Sequence, residues 1–195
     1  AVYILSGHTA WLFFSSATSS SMGEMVWSGG LFQRIYVPKL VFPVASVGAS
    51  LINLLISLIP LILIAALTGV RITPALLVLP LSILLLAAFA LGMGLLLATA
   101  AVYFADMLPV YDVALTLWMY ATPIIYPIEI VPPNWLWLFQ LNPVYHFVRL
   151  FRVPLYEGIV PDWQTWLTGT GFALAALALG AFVFTSRSND YAYRV

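Results

Sequence analysis

The chain has 195 residues, 63% of them hydrophobic and only 7% charged, and its seven basic and seven acidic side chains cancel to zero net charge. A soluble domain carries roughly 25% charged residues, so the composition excludes a soluble globule, and without a basic excess there is no electrostatic footprint for nucleic acid. No cysteine is present, which removes disulfides, thiolate metal sites and a cysteine nucleophile.

The charges are segregated as well as scarce. No Asp, Glu, Lys or Arg interrupts Ala1 to Gly23, Leu40 to Val70, Ile72 to Ala105 or Trp163 to Ser186. About 20 apolar residues cross a hydrocarbon core of roughly 30 Å, and a charge at its centre costs about 2.5–3.5 kcal/mol. The chain therefore reads as all-α and polytopic in a membrane. It opens on Ala1 without the basic n-region of a signal peptide, and this abrupt start reads as that of a fragment.

The first span is expected over residues 9–26. Ser15, Ser16, Thr18, Ser19, Ser20 and Ser21 make it rich in hydroxyls. Such groups bond back to the i−4 carbonyl and let helices approach closely, so this span should face protein rather than lipid. They read as packing residues or as the lining of a wet path. Gly29-Gly30 can end the span and Pro38 can begin the next. Between them Leu31, Phe32, Gln33, Arg34, Ile35 and Tyr36, followed by Lys39, form a short amphipathic stretch. It reads as an interfacial helix that docks a partner, or as a basic loop that holds orientation.

The second span is expected over residues 42–67, with Pro43 tolerated in its first turn and Pro60 kinking its interior. Gly69 is a helix stop and Pro74 a restart. The third span covers residues 75–103, and Ala90 and Gly94 in it have the small-xxx-small spacing of close helix contacts. The fourth covers residues 108–126. From residue 127 to 150 the apolar pieces are too short to cross and are broken by prolines, as in a re-entrant or interfacial helical pair. Trp135 and Trp137 there suit the headgroup level. A last span covers residues 163–184. Five crossings place Arg34, Lys39, Arg187 and Arg194 on one side and Arg71, Arg149 and Arg152 on the other. That near-even split sets no orientation by the positive-inside rule.

Catalytic readings find little support. His8 and His146 have no carboxylate at metal-ligand spacing, and no H-E-x-x-H, G-x-S-x-G or phosphate-cradling glycine motif occurs. Proton-coupled carriers and intramembrane enzymes need ionisable groups inside the spans, where Glu24 alone comes close to an interior. The energy for any transport would then come from elsewhere. Trp11, Phe13 and Phe14 on the first span, and Trp118, Tyr120 and Tyr126 on the fourth, could line a path for a partly polar substrate. Interfacial anchoring and core packing are the plainer reading of each ring.

Five stretches in order, "YILSGHTAWLFFSSATSSS", "GGLFQRIYVPKLVFPVASVGASLINLLISL", "FALGMGLLLATAAVYFADM", "ATPIIYPIEIVP" and "LNPVYHFVRLFR", resemble the membrane subunit of type-2 ABC exporters. The closest branch is that of polysaccharide and polyol phosphate export, which handles O-antigen, capsule or teichoic-acid chains. The resemblance implies one permease domain over residues 1–195, a six-helix fold of which the N-terminal helix is missing here. It makes residues 29–39 a cytoplasmic coupling helix, so that Leu31, Phe32, Gln33, Arg34, Ile35, Tyr36 and Lys39 dock an ATPase subunit. The C-terminus is then cytoplasmic, the 127–150 region is external, and the setting is the inner membrane of a prokaryote.

It further implies a homodimer of permeases with two ATPase copies, which hold the ATP and magnesium, and no cofactor, metal or catalytic residue in this chain. A lipid-linked glycan would pass along Trp11, Phe14, Trp118, Tyr120 and Tyr126. The rival readings are a type-2 permease for a drug or lipid, a truncated membrane scaffold without transport, and an intramembrane enzyme built on Glu24, Asp106, Asp112 or His146.

Overall fold

A computed structural model of the chain describes residues 1–27, 38–70, 72–104 and 106–187. The stretch expected to dock a partner lies outside them, apart from Lys39, which is half-buried in the turn before the second long helix. Among the described residues every regular element is helical.

Helix α1 runs Val2–Trp27, longer than the span expected over residues 9–26. Its hydroxyls behave as their chemistry requires: Thr9, Thr18 and Ser21 donate to the carbonyls of Leu5, Phe14 and Ala17 at 2.6–2.8 Å. Of the six expected to face protein, Thr18 and Ser21 are fully buried, Ser15, Ser19 and Ser20 are half-buried and Ser16 is exposed, so only part of the polar stripe faces the described bundle. Helix α2, Val41–Leu67, stays helical through Pro60. Its Ile52, Ile56, Ile59 and Leu63 point outward, an apolar surface that suits lipid.

Gly69 ends α2 with φ at +78°, a left-handed conformation that glycine adopts without steric cost. The Val70 N–H reaches back to the Ala65 carbonyl at 3.0 Å, which satisfies one of the helix's orphan acceptors. A 3-10 turn at Pro74–Val78 leads directly into α3, Leu79–Tyr103. Helix α4, Met107–Tyr120, has 14 residues and stops short of the residue 126 expected for it. At 1.5 Å per residue it is about 21 Å long.

Residues 121–126 form an irregular turn. Two 3-10 turns, Ile128–Ile130 and Pro133–Trp135, then precede the short helix α5, Leu136–Gln140. Helix α6 is Pro143–Arg152 and continues into a π turn, Val153–Glu157. Trp135 and Trp137 are exposed, as an interfacial place requires. The chain finishes with α7, Trp163–Arg187.

Among the described residues, three helical runs are long and apolar enough to cross a membrane by length and composition: α2, the continuous Pro74–Tyr103 segment, and α7. Helices α1 and α3 form the centre of the bundle, with α2 against α1, α7 against α3, and α6 against both. The α3–α7 seam is the closest. A side chain on Gly92 would strike the Ala176 backbone, and one on Gly180 would strike the backbone of Gly92. Gly94 instead gives room to Ser21 of α1. Small residues thus line two faces of α3. The tightest contact comes from Gly92, outside the Ala90-xxx-Gly94 pair.

Candidate functional site

The first layer of the site is built where α1, α3, α4 and α6 meet. Phe14 stacks on Phe89 at 5.4 Å between ring centroids, and Phe89 on Phe147 at 4.7 Å. Trp118 of α4 stands edge-on to Phe14 at 5.4 Å and to Trp11 at 6.4 Å. Trp11 and Phe14 are buried at 4% and 0% exposure, so both support the bundle interior, and Trp118 alone of the three reaches its edge.

The break after α4 has its own polar clamp. Asn142 caps α6, its Oδ1 accepting from the Val144 N–H at 3.1 Å and from the Trp118 indole N–H at 2.9 Å. Its amide donates to the Thr122 hydroxyl at 2.8 Å. One side chain therefore fixes the indole, the start of α6 and the turn after α4, and a cap of this kind alone contributes about 1 kcal/mol. Beside the clamp lies an open pocket of about 540 Å³ whose wall includes Trp118, Tyr120, Tyr126, Phe139 and Asn142. Tyr120 is largely exposed, and the Tyr126 hydroxyl donates to its carbonyl at 3.0 Å. Of the five aromatics expected along a path, the structure brings Trp118, Tyr120 and Tyr126 to one opening and sets Trp11 and Phe14 behind them.

A second polar centre lies at the other side of the same turn. Arg152 is 7% exposed, and its two terminal nitrogens donate to the carbonyls of Pro123 and Ile124 at 3.0 and 2.9 Å. Those carbonyls belong to irregular, buried backbone, which must find partners away from water. The guanidinium also lies 3.8 Å from the centroid of the Tyr3 ring and fills the space left by the missing side chain of Gly7. His146 is structural too. Its Nε2 lies 2.8 Å from the Gln140 carbonyl, which can only accept, so that nitrogen carries the proton.

Sequence reasoning missed Asn142 as a clamp, Phe89 and Phe147 as the far half of the stack, and Arg152 as a buried residue. The Asn142-Pro143 pair is a readable signal for the first, since Asn at N-cap with Pro at N1 starts helices. No local pattern marks the others. Glu24, Asp106 and Asp112 do not gather around this site.

Among characterised proteins the chain resembles an O-antigen export system permease protein, RfbA, of Myxococcus xanthus. The two are 25% identical over 193 residues, covering 97% of this chain and 74% of that protein. A protein of the same description from Klebsiella pneumoniae is 22% identical over 185 residues, 93% of this chain and 71% of its own length. A family model described as ABC-2 type transporter matches residues 1–156. That match takes in the aromatic stack, the Asn142 clamp and Arg152, and the chain belongs to the ABC-2 type transporter family.

Proposed function

We propose that the chain is the membrane-spanning permease subunit of an ATP-driven exporter that moves a lipid-linked polysaccharide or related glycan across the cytoplasmic membrane. The observation that carries this reading is the open pocket of about 540 Å³ at the break after α4, walled by Trp118, Tyr120 and Tyr126 and bordered by Asn142. Aromatic faces beside fixed amide and hydroxyl groups suit a sugar chain, whose C–H faces stack while its hydroxyls exchange hydrogen bonds. The relatives' description as O-antigen export permeases supports the substrate class. Trp11 and Phe14 back the path and hold Trp118 in place.

The work is done by a partner. Two ABC ATPase subunits bind ATP and magnesium and dock on Leu31, Phe32, Gln33, Arg34, Ile35, Tyr36 and Lys39, with the C-terminus on the same, cytoplasmic side. Two permease copies enclose the path, each with five crossings in this chain: α1, α2, α3, α4 with the turn that follows it, and α7. Helix α4 is short for a lipid-facing crossing, which suits a place at a protein-lined path.

The test is complementation of a deletion strain. Wild type should restore surface glycan and co-purify the ATPase. Arg34→Glu with Lys39→Glu should insert normally, lose the ATPase and restore no glycan. Retained association refutes the docking assignment, and unchanged surface glycan in the deletion strain refutes the export reading.

A further inference from the structure

Helix α6 presents Tyr145, Arg149 and Arg152 at i, i+4 and i+7, one face of a helix. With Tyr3 from α1, and Glu129 and Glu157 from the turns on either side, they line a cavity of about 270 Å³, separate from the aromatic pocket.

The side chains differ in what they have left to offer. Arg152 is fixed by two carbonyls and the Tyr3 ring, and its buried Nε has no hydrogen-bond partner among the described residues. Arg149 is paired with Asp162 at 3.0 Å. Glu129, Glu157 and the Tyr145 hydroxyl lack hydrogen bonds or ion pairs to the described residues, and both carboxylates are exposed. With Arg149 and Asp162 cancelling, one arginine faces two carboxylates, so the local charge is −1. The cavity therefore has no net positive charge to hold an anion such as a phosphate. What the cavity can satisfy is a neutral molecule with several O–H donors for the carboxylates and an acceptor for the phenol.

We propose that this cavity is a binding subsite for one neutral pyranose unit, with Glu129 and Glu157 accepting from its hydroxyls and Tyr145 completing the set. The inference rests on the glycan-export reading and adds to it a second point of contact on the far side of the Arg152-held turn. The carboxylates give selectivity, because a ligand without hydroxyls leaves them unpaired.

The experiment uses the full-length permease in lipid nanodiscs without ATP. Saturation-transfer NMR is recorded with D-mannose, D-galactose, N-acetyl-D-glucosamine and inorganic phosphate as separate probes. At least one sugar is expected to bind, and Glu129→Gln with Glu157→Gln should raise its Kd about ten-fold, equivalent to about 1.4 kcal/mol. Tyr145→Phe should weaken it less, and phosphate should give no signal. Both carboxylates are exposed, so the amide replacements leave packing intact. No sugar binding by wild type, an unchanged Kd in the double variant, or phosphate binding better than the sugars overturns the assignment. Sugar lost in the double variant supports the site even if deletion leaves surface glycan untouched, a result that refutes the export reading alone.

Discussion

Replacing Arg152 with Met tests how the irregular backbone after α4 is held. The variant keeps a long, flexible apolar stem but removes both bonds to the Pro123 and Ile124 carbonyls and the contact with Tyr3. Hydrogen bonds to charged groups are worth about 1.5–3 kcal/mol each, and a cation over a buried ring about 2. Against that loss stands relief from burying a guanidinium whose Nε has no partner, about 1–3 kcal/mol. These ranges combine to a net loss of about 2–7 kcal/mol.

Unfolding by SDS in mixed micelles, followed by tryptophan fluorescence, measures it. Arg152→Lys should recover only part, because one ammonium cannot span two carbonyls as a planar fork does. Gly7→Ala provides a second route, since its methyl would displace the guanidinium. It should destabilise wild type yet cost little in the Met background, a coupling that a double-mutant cycle reads directly. An Arg152→Met loss below about 1 kcal/mol, within the range of ordinary single mutations, would refute the proposed role of the arginine.

The α3–α7 seam makes two opposite expectations on one helix. Gly180→Leu must push α7 off the Gly92 backbone and should cost about 3 kcal/mol. Gly171→Ala, where no atom lies within 4 Å of the added carbon, should gain roughly 0.5–1 kcal/mol from helix propensity. The same micelle titration checks both, and equal signs would contradict the seam.

A third expectation concerns pH. Asp162 caps α7, accepting from the Thr165 hydroxyl at 2.6 Å and the Thr165 N–H at 3.2 Å. The Thr165 hydroxyl, then that N–H and Arg149, hold its carboxyl below the usual range. Its folded pKa is thus lower than the unfolded value of about 3.9. The stabilisation is full above that unfolded value and is lost as pH falls through the folded one. Asp162 is 44% exposed in its pair with Arg149, so screening keeps the effect small. Melting temperatures of wild type and Asp162→Asn should converge on the acid side, and curves that stay parallel would exclude the linkage.

The membrane class, the helical stop at Gly69, the restart at Pro74 and the broken stretch after residue 126 were all legible locally. Each depends on composition or on a backbone preference that a few neighbouring residues set. That hydroxyls of α1 bond to their own helix was legible for the same reason, but which of them face inward was not: Thr18 and Ser21 are buried and Ser16 is exposed. The early end of α4 was harder to see. Pro123 is a local breaker within residues 121–126, but the Pro123 and Ile124 carbonyls are held by Arg152, some thirty positions later in the chain.

Sequence by itself determined that this chain lies in a membrane, that it carries almost no ionisable chemistry in its long spans, and that aromatics cluster on its first and fourth helical segments. Those properties are sums over residues or short spacings. Only the tertiary structure decided which aromatics meet an opening and which fill the core. It also decided that Asn142 ties Trp118 to Thr122, and that Arg152 is an internal brace. In each case the partners are distant in sequence, and a side chain's role follows from the unsatisfied groups and open space that packing brings beside it.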